Sequence, residues 1–146
     1  MMKIVIVQPQ MDEDEQIIVK CHHITPEIMR LLSAFKSQTT TLIGYIGSEI
    51  CRINAIDVFY IEAVDNRVFL YSEQSVHESK QKLYEFEEEL AHGDFLRISK
   101  SVIINLSKIK SLVPSLYGRL EAILENGEKV IISRQYVGEL KKKLGI

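Results

Sequence analysis

FLRISKSVIINLSKIKSLVPSLYGRLEAILENGEKVIISRQY, residues 95–136, is the stretch that decides how this chain is read. Four runs of strand-type residues stand in it, at 95–98, 102–105, 120–124 and 129–132. Polar or turn-forming residues separate them, above all Glu125-Asn126-Gly127-Glu128. Asn-Gly between two alternating apolar runs is the strongest short-range signal for a β-hairpin. Two further interruptions, Ser99-Lys100-Ser101 and Ser133-Arg134-Gln135, each set one cation among small or polar neighbours. A strand alternates its faces at every residue. Continued unbroken from Leu96, it would carry Lys100 onto the face of Ile98, Val102 and Ile104, and burying an unpaired ammonium costs several kcal/mol. The strand is therefore expected to break or bulge near Ser99 and turn Lys100 outward. Taken singly, both cations read as ordinary surface charge.

The chain outside this stretch sets the bounds. Its 146 residues suit one domain, or one domain with a short appendage. Hydrophobic content of 46% and charged content of 26% are ordinary for a folded soluble protein. No run approaches the ~18 apolar residues of a membrane span, and the opening MMKIVIV is too short for a signal peptide. Cytoplasmic residence and reduced Cys21 and Cys51 are the expectation. The net charge of −2 hides an asymmetry. Residues 1–95 hold 8 Lys+Arg against 16 Asp+Glu, a net −8, and residues 96–146 hold 10 against 4, a net +6. Such a division points to nucleic-acid contact by the second part, or to the two parts packing charge against charge.

In chain order, residues 2–7 read as a short buried strand and residues 16–22 as a second, its hairpin partner. The acids Asp12 to Glu15 between them read as a solvated loop. A phosphoacceptor receiver needs a full domain of length, which the segment before residue 42 does not provide. Cys21-His22-His23 has no second cluster to complete the four ligands zinc takes, so no metal is expected. Thr25-Pro26-Glu27 opens a helix with an N-cap, a proline in the first turn and an acid at the positive end. Ile28, Leu31, Leu32 and Phe35 mark one face of it. Residues 1–38 thus form a small β/α appendage with an assembly role, and the main domain spans 42–146. That domain starts with strands at 42–46 and 49–53 around Gly47-Ser48. Strands at 57–64 and 67–71 follow, around a tip at Asp65-Asn66. A helix covers 79–92 with Leu83, Phe86 and Leu90 inward and Gly93 as its C-cap. A strand at 109–113 ends at Pro114. A short terminal helix carries Val137, Leu140 and Leu144, with Lys141, Lys142 and Lys143 on its outer side.

The whole pattern resembles the LytTR family of bacterial DNA-binding domains. The residues that carry the resemblance are FLRISKSVIINL from Phe95, then Ile109, Asn126-Gly127-Glu128 and Ile132-Ser133-Arg134. An earlier piece, DVFYIEA from Asp57, looks like the family's first core strand. The resemblance covers roughly residues 42 to 146. It implies a mainly β, elongated antiparallel domain (α+β overall) that reads double-stranded DNA with loops. It further implies a transcription regulator, imperfect direct repeats as targets, two protomers on each site, and a membrane protein as regulatory partner. The positions matching its DNA-contacting loops are Arg134, Lys100, Ser99, Ser101, Asn66 and Arg67. Arg134 is the choice for base readout, because its planar fork can bond two acceptors of guanine. Lys100 is assigned to a base or a phosphate, and Ser99 and Ser101 to phosphate. The family usually has His or Arg near Ser99 and Lys100, so this chain is expected to prefer a different base sequence. No Walker loop, GxGxxG, nucleophile elbow or metal motif occurs. No cofactor, small-molecule substrate or catalytic residue is therefore expected. The competing reading is a protein-interaction module on the same fold.

Overall fold

The computed structural model describes residues 2–91 and 93–146, so His92 lies outside it. Among the described residues, ten antiparallel strands and three α-helices follow one another in an order that never joins two α-helices directly. Helix α1 (Pro26–Thr39) comes first, and Thr25 caps it by accepting from the Ile28 amide at 3.3 Å. Strands β1 (Thr41–Ile46), β2 (Glu49–Asn54), β3 (Val58–Val64), β4 (Arg67–Ser72) and β5 (Val76–Ser79) lead to helix α2 (Leu83–Glu89). Strands β6 (Phe95–Arg97), β7 (Val102–Asn105), β8 (Ile109–Pro114), β9 (Leu120–Leu124) and β10 (Lys129–Ile132) precede helix α3 (Arg134–Leu144).

The first seven strands make one sheet in the order β2-β1-β5-β4-β3-β7-β6, and the last three make a second in the order β10-β9-β8. Strand β7 explains how the layers meet, since all four residues of Val-Ile-Ile-Asn are buried. Ile103 faces a core built from Val58, Ile61, Leu70 and the α2 side chains Leu83 and Phe86. Val102 and Ile104 face the opposite core, shared with Phe59, Ala122, Leu124, Ile132 and Leu140. A strand apolar on both faces is one covered on both faces, here by α2 on one side and by the second sheet with α3 on the other.

The hairpin expected at Asn126-Gly127 forms with β9 and β10 in register from Leu120↔Ile132 to Ile123↔Lys129. Its loop has three residues, Glu125 to Gly127, one more than the tightest hairpin link. The Gly127 amide donates to Leu124 O at 2.9 Å, the Leu124 amide to Glu128 O at 2.8 Å, and Gly127 takes φ 87°. Only glycine adopts that left-handed conformation without strain.

Three expectations fail in this part of the fold. Residues 2–7 and 16–22 are not strands; the segment before Pro26 carries no helix or strand among the described residues, and Ile4 and Ile6 are 91% and 93% exposed. Their β-branched composition lacks a partner within the chain. On α1 only Ile28 of the expected face is buried, with Leu31 and Phe35 exposed and Leu32 half-buried. The helix placed at 79–92 begins at Leu83, because residues 76–79 are the strand β5, wedged between β1 and β4. It ends at Glu89 with Leu90 as cap, so Gly93 is not its C-cap. Lys143 is exposed, as expected, and its ammonium also donates to Phe95 O at 3.0 Å, which ties α3 to β6. Burial lowers its pKa, against the attraction of Asp94 and Glu139.

Candidate nucleic-acid interface

Three loops bear the residues singled out in the sequence, and backbone hydrogen bonds hold them side by side. The β6–β7 turn carries Ser99, Lys100 and Ser101. The Ala63 amide, at the end of β3, donates to Ser101 O at 2.8 Å, which brings the Asp65-Asn66 tip alongside. The Ser133 amide, at the entry to α3, donates to Ile98 O at 2.9 Å, which brings Arg134 to the other flank. The turn at 99–101 and the entry to α3 at 133–134 thus lie beside the tip at 65–66.

The β6–β7 turn breaks where expected. Ile98 N–H donates to Val102 O at 3.0 Å, the Ser101 amide donates to Ser99 Oγ at 3.2 Å, and Lys100 is exposed. Ser99 is therefore partly spent on the turn itself, although its hydroxyl proton remains available. The clamp on this turn was not legible in the sequence. Arg97 Nε donates to Ser99 O at 3.0 Å, its Nη2 donates to Lys100 O, and its Nη1 lies 3.7 Å from Glu87 on α2. One guanidinium spans two successive carbonyls, which fixes the peptide planes on either side of Lys100. Arg97→Ala should free the turn, speeding hydrogen exchange at the Ser101 amide while costing only about 1 kcal/mol of global stability. Arg97→Lys should not restore protection, because an ammonium lacks the planar fork. Exchange at Ser101 unchanged from the parent protein would remove Arg97 from this role.

At the β3–β4 tip, Asp65 and Asn66 both take positive φ, 50° and 64°, in a two-residue hairpin closed by Val64↔Arg67. That is the turn in which Asp and Asn replace glycine most readily. Asn66 is exposed. Arg67, assigned to the same surface, is already engaged. Its Nε and Nη2 donate to Glu78 Oε1 and Oε2 at 3.0 and 2.7 Å, and its Cζ lies 5.2 Å from the Phe69 ring centroid. The pair holds the Glu78 carboxyl below its ordinary pKa and the guanidinium above its own.

Arg134, the cation of the interruption Ser133-Arg134-Gln135, stands on a helix and not on a strand. Strand β10 stops at Ile132, Ser133 is the N-cap, and Arg134 is the first residue of α3. Its stem lies over Gly118, where a Cβ would come within 3.0 Å of Arg134 Cδ and 3.1 Å of Cγ. Gly118 (φ 75°) belongs to the β8–β9 loop, which also exposes Leu116 and Tyr117 and sets Arg119 Cζ 5.7 Å from the Tyr117 ring. No local sequence signal tied that loop to Arg134. Among the described residues, neither the Arg134 guanidinium nor the Lys100 ammonium has an ion-pair partner. Two unpaired cations on adjacent, internally braced loops make a surface suited to an anionic polymer.

Known proteins resemble this chain in sequence and in fold. Residues 48–145 match the LytTr DNA-binding domain family. The LytTr DNA-binding domain of a methyl-accepting/DNA response regulator from Bacillus cereus superposes with a TM-score of 0.70 at 27% identity, covering 74% of this chain and 99% of that one. The sensory transduction protein LytT of Enterococcus faecalis is 32% identical over 90 residues, 62% of this chain and 37% of that protein. This chain therefore corresponds to little more than a third of that relative. An HTH-type transcriptional regulator of Staphylococcus aureus strain MSSA476 is 28% identical over 148 residues, all of both chains. Another from strain NCTC 8325 is 34% identical over 106 residues, 73% of this chain and 71% of that one. In this chain strands intervene between every pair of α-helices, so the short turn that joins the helices of a helix-turn-helix is absent among the described residues.

Proposed function

This chain belongs to the LytTr family of DNA-binding domains, and from that premise we propose that it regulates transcription by reading duplex DNA with its three clustered loops. The observation that carries the loop reading is the pair of backbone bonds, Ala63 to Ser101 and Ser133 to Ile98, that braces the three loops as one surface. The net +6 of residues 96–146 supplies the phosphate attraction, although the chain as a whole is acidic. Arg134 reads guanine in the major groove, Lys100 binds a phosphate or base beside it, and Ser99, Ser101 and Asn66 add hydrogen bonds. Arg67 contributes through the free edge of its paired guanidinium. The first amides of α3 lie beside Arg134 and favour phosphate at the same place. The protein acts without catalysis, in the cytoplasm, with two protomers on each target and a membrane protein as its regulator. Charge asymmetry alone supports the competing protein-interaction reading, and that asymmetry serves DNA equally well.

The test compares specific and scrambled DNA across a salt series. Arg134→Ala should cost about 1–3 kcal/mol on the specific site and much less on scrambled DNA. Arg134→Lys should be nearly as damaging, for want of the planar fork. Lys100→Ala should weaken both DNAs alike and lower the salt slope by about one unit if its contact is phosphate. Both side chains are exposed, so melts should not move. Equal losses on the two DNAs for Arg134→Ala would demote it to a backbone contact.

A further inference from the structure

The N-terminal arm is not shapeless. A turn at Gln10–Glu13 folds it back on itself: the Glu13 amide donates to Gln10 O at 3.0 Å, and the Gln10 amide donates to Glu13 Oε2 at 3.1 Å. The two limbs enclose a cleft of about 1020 Å³. Lys3, Val5 and Val7 line it from the first limb, beside Met2, Gln8 and Pro9, and Ile18 and Lys20 line it from the second. In chain order Lys3 and Lys20 stand farthest from the turn, with Val5, Val7 and Ile18 between them and it. The cleft is thus basic at its mouth, apolar in its middle, and acidic at its closed end, where Glu13, Asp14 and Glu15 line it.

We propose that this cleft is a clasp for the same arm of a second copy of the chain. A two-fold axis through the apolar middle would lay one limb of each arm into the other's cleft. The lysines at each mouth would then meet the acids at the partner's turn, and Val5, Val7 and Ile18 of both copies would be covered together. An interface that is its own complement under a two-fold rotation is the ordinary basis of a homodimer. Strand addition also explains why residues of strand-forming composition stand unpaired and exposed in the single chain. The proposal rests on the two-protomer part of the functional reading and not on the base contacts. Its test uses no DNA, so the two can fail separately.

Two full-length variants test it by sedimentation velocity at micromolar concentration. One carries Lys3→Glu with Lys20→Glu, and the other Asp14→Lys with Glu15→Lys. Glu13 is left intact because it closes the turn. The parent protein should sediment as a dimer, and each variant alone as a monomer, since like charges then face each other across the axis. An equimolar mixture should recover the dimer, because each mouth again meets an opposite turn. Thermal melts of dilute monomer should stay unchanged, the arm lying outside both cores. A monomeric parent protein would overturn the proposal. So would a variant that stays dimeric alone, or two monomeric variants that fail to pair.

Discussion

Phe86→Ala should cost about 3–5 kcal/mol of folding stability, read as a drop in the denaturant midpoint with the slope unchanged. Phe86 is fully buried, and no other fully buried side chain is larger. It packs with Val58, Ile61, Leu70 and Ile103 between α2 and the large sheet. Helix α2 has seven residues, too few to persist on its own propensity. Its stability is therefore its docking, and Phe86 is the centre of that docking. The cavity left by alanine has little route to collapse, because a seven-stranded sheet forms its floor. Phe86→Leu keeps most of the volume and should cost under about 1.5 kcal/mol. DNA affinity should fall along with the fold, since Glu87 on the same helix meets Arg97, the residue that braces the Lys100 turn. A loss below about 1 kcal/mol for Phe86→Ala would make α2 a peripheral element.

What the sequence made legible and what it hid divide along a physical line. The strands from Thr41 onward, the Asp65-Asn66 tip and the outward turn of Lys100 were readable, because each follows from local alternation or turn chemistry. Strand β5 was not readable: Val76-His77-Glu78-Ser79 has one aliphatic residue, and its place is set by pairing with β1 and β4 on either side. The segments at 2–7 and 16–22 failed in the opposite direction. Composition says what a strand is made of, but the partner that would pair with it is not a local property. The interface divides in the same way. Lys100 and Arg134 announce themselves as cations interrupting apolar runs. Arg97 sits in a strand like any charged neighbour, and only the fold shows its guanidinium closing on Ser99 and Lys100. Glu78 stands 11 residues from Arg67 and reaches it because β4 and β5 pair with Val68 opposite Ser79. Gly118 supports Arg134 through contact across two elements, which no spacing rule encodes.

Asn105→Asp should be as costly as the loss of Phe86, by a different route. Asn105 is 1% exposed at the end of β7, with every polar atom engaged. Its Nδ2 donates to Val58 O at 2.9 Å and to Ile56 O at 3.4 Å, and its Oδ1 accepts from the Ser107 amide at 3.1 Å and from Ser107 Oγ at 2.8 Å. Aspartate has the same shape but no donors. An ionised oxygen would face two carbonyls from inside the protein, and a buried charge without a partner costs about 3–5 kcal/mol. The alternative is protonation, which restores one donor and raises the folded-state pKa above the ~3.9 of an unfolded aspartate. The sign follows from linkage. The folded state then binds the proton more tightly than the unfolded state does. The variant should lie closest to the parent protein below about pH 4, lose stability as pH rises through the folded-state pKa, and reach its full deficit above it. Asn105→Ala removes the same donors without adding charge, so its deficit should not follow pH in this way. Denaturant titrations of the two variants at acid and neutral pH separate the cases. Parallel deficits at every pH would show that the lost hydrogen bonds, and not the buried charge, dominate. Either way the damage should reach the loops, because Asn105 joins β7 to the start of β3, fixing the register in which Ala63 meets Ser101 at the far end of the same strand pair.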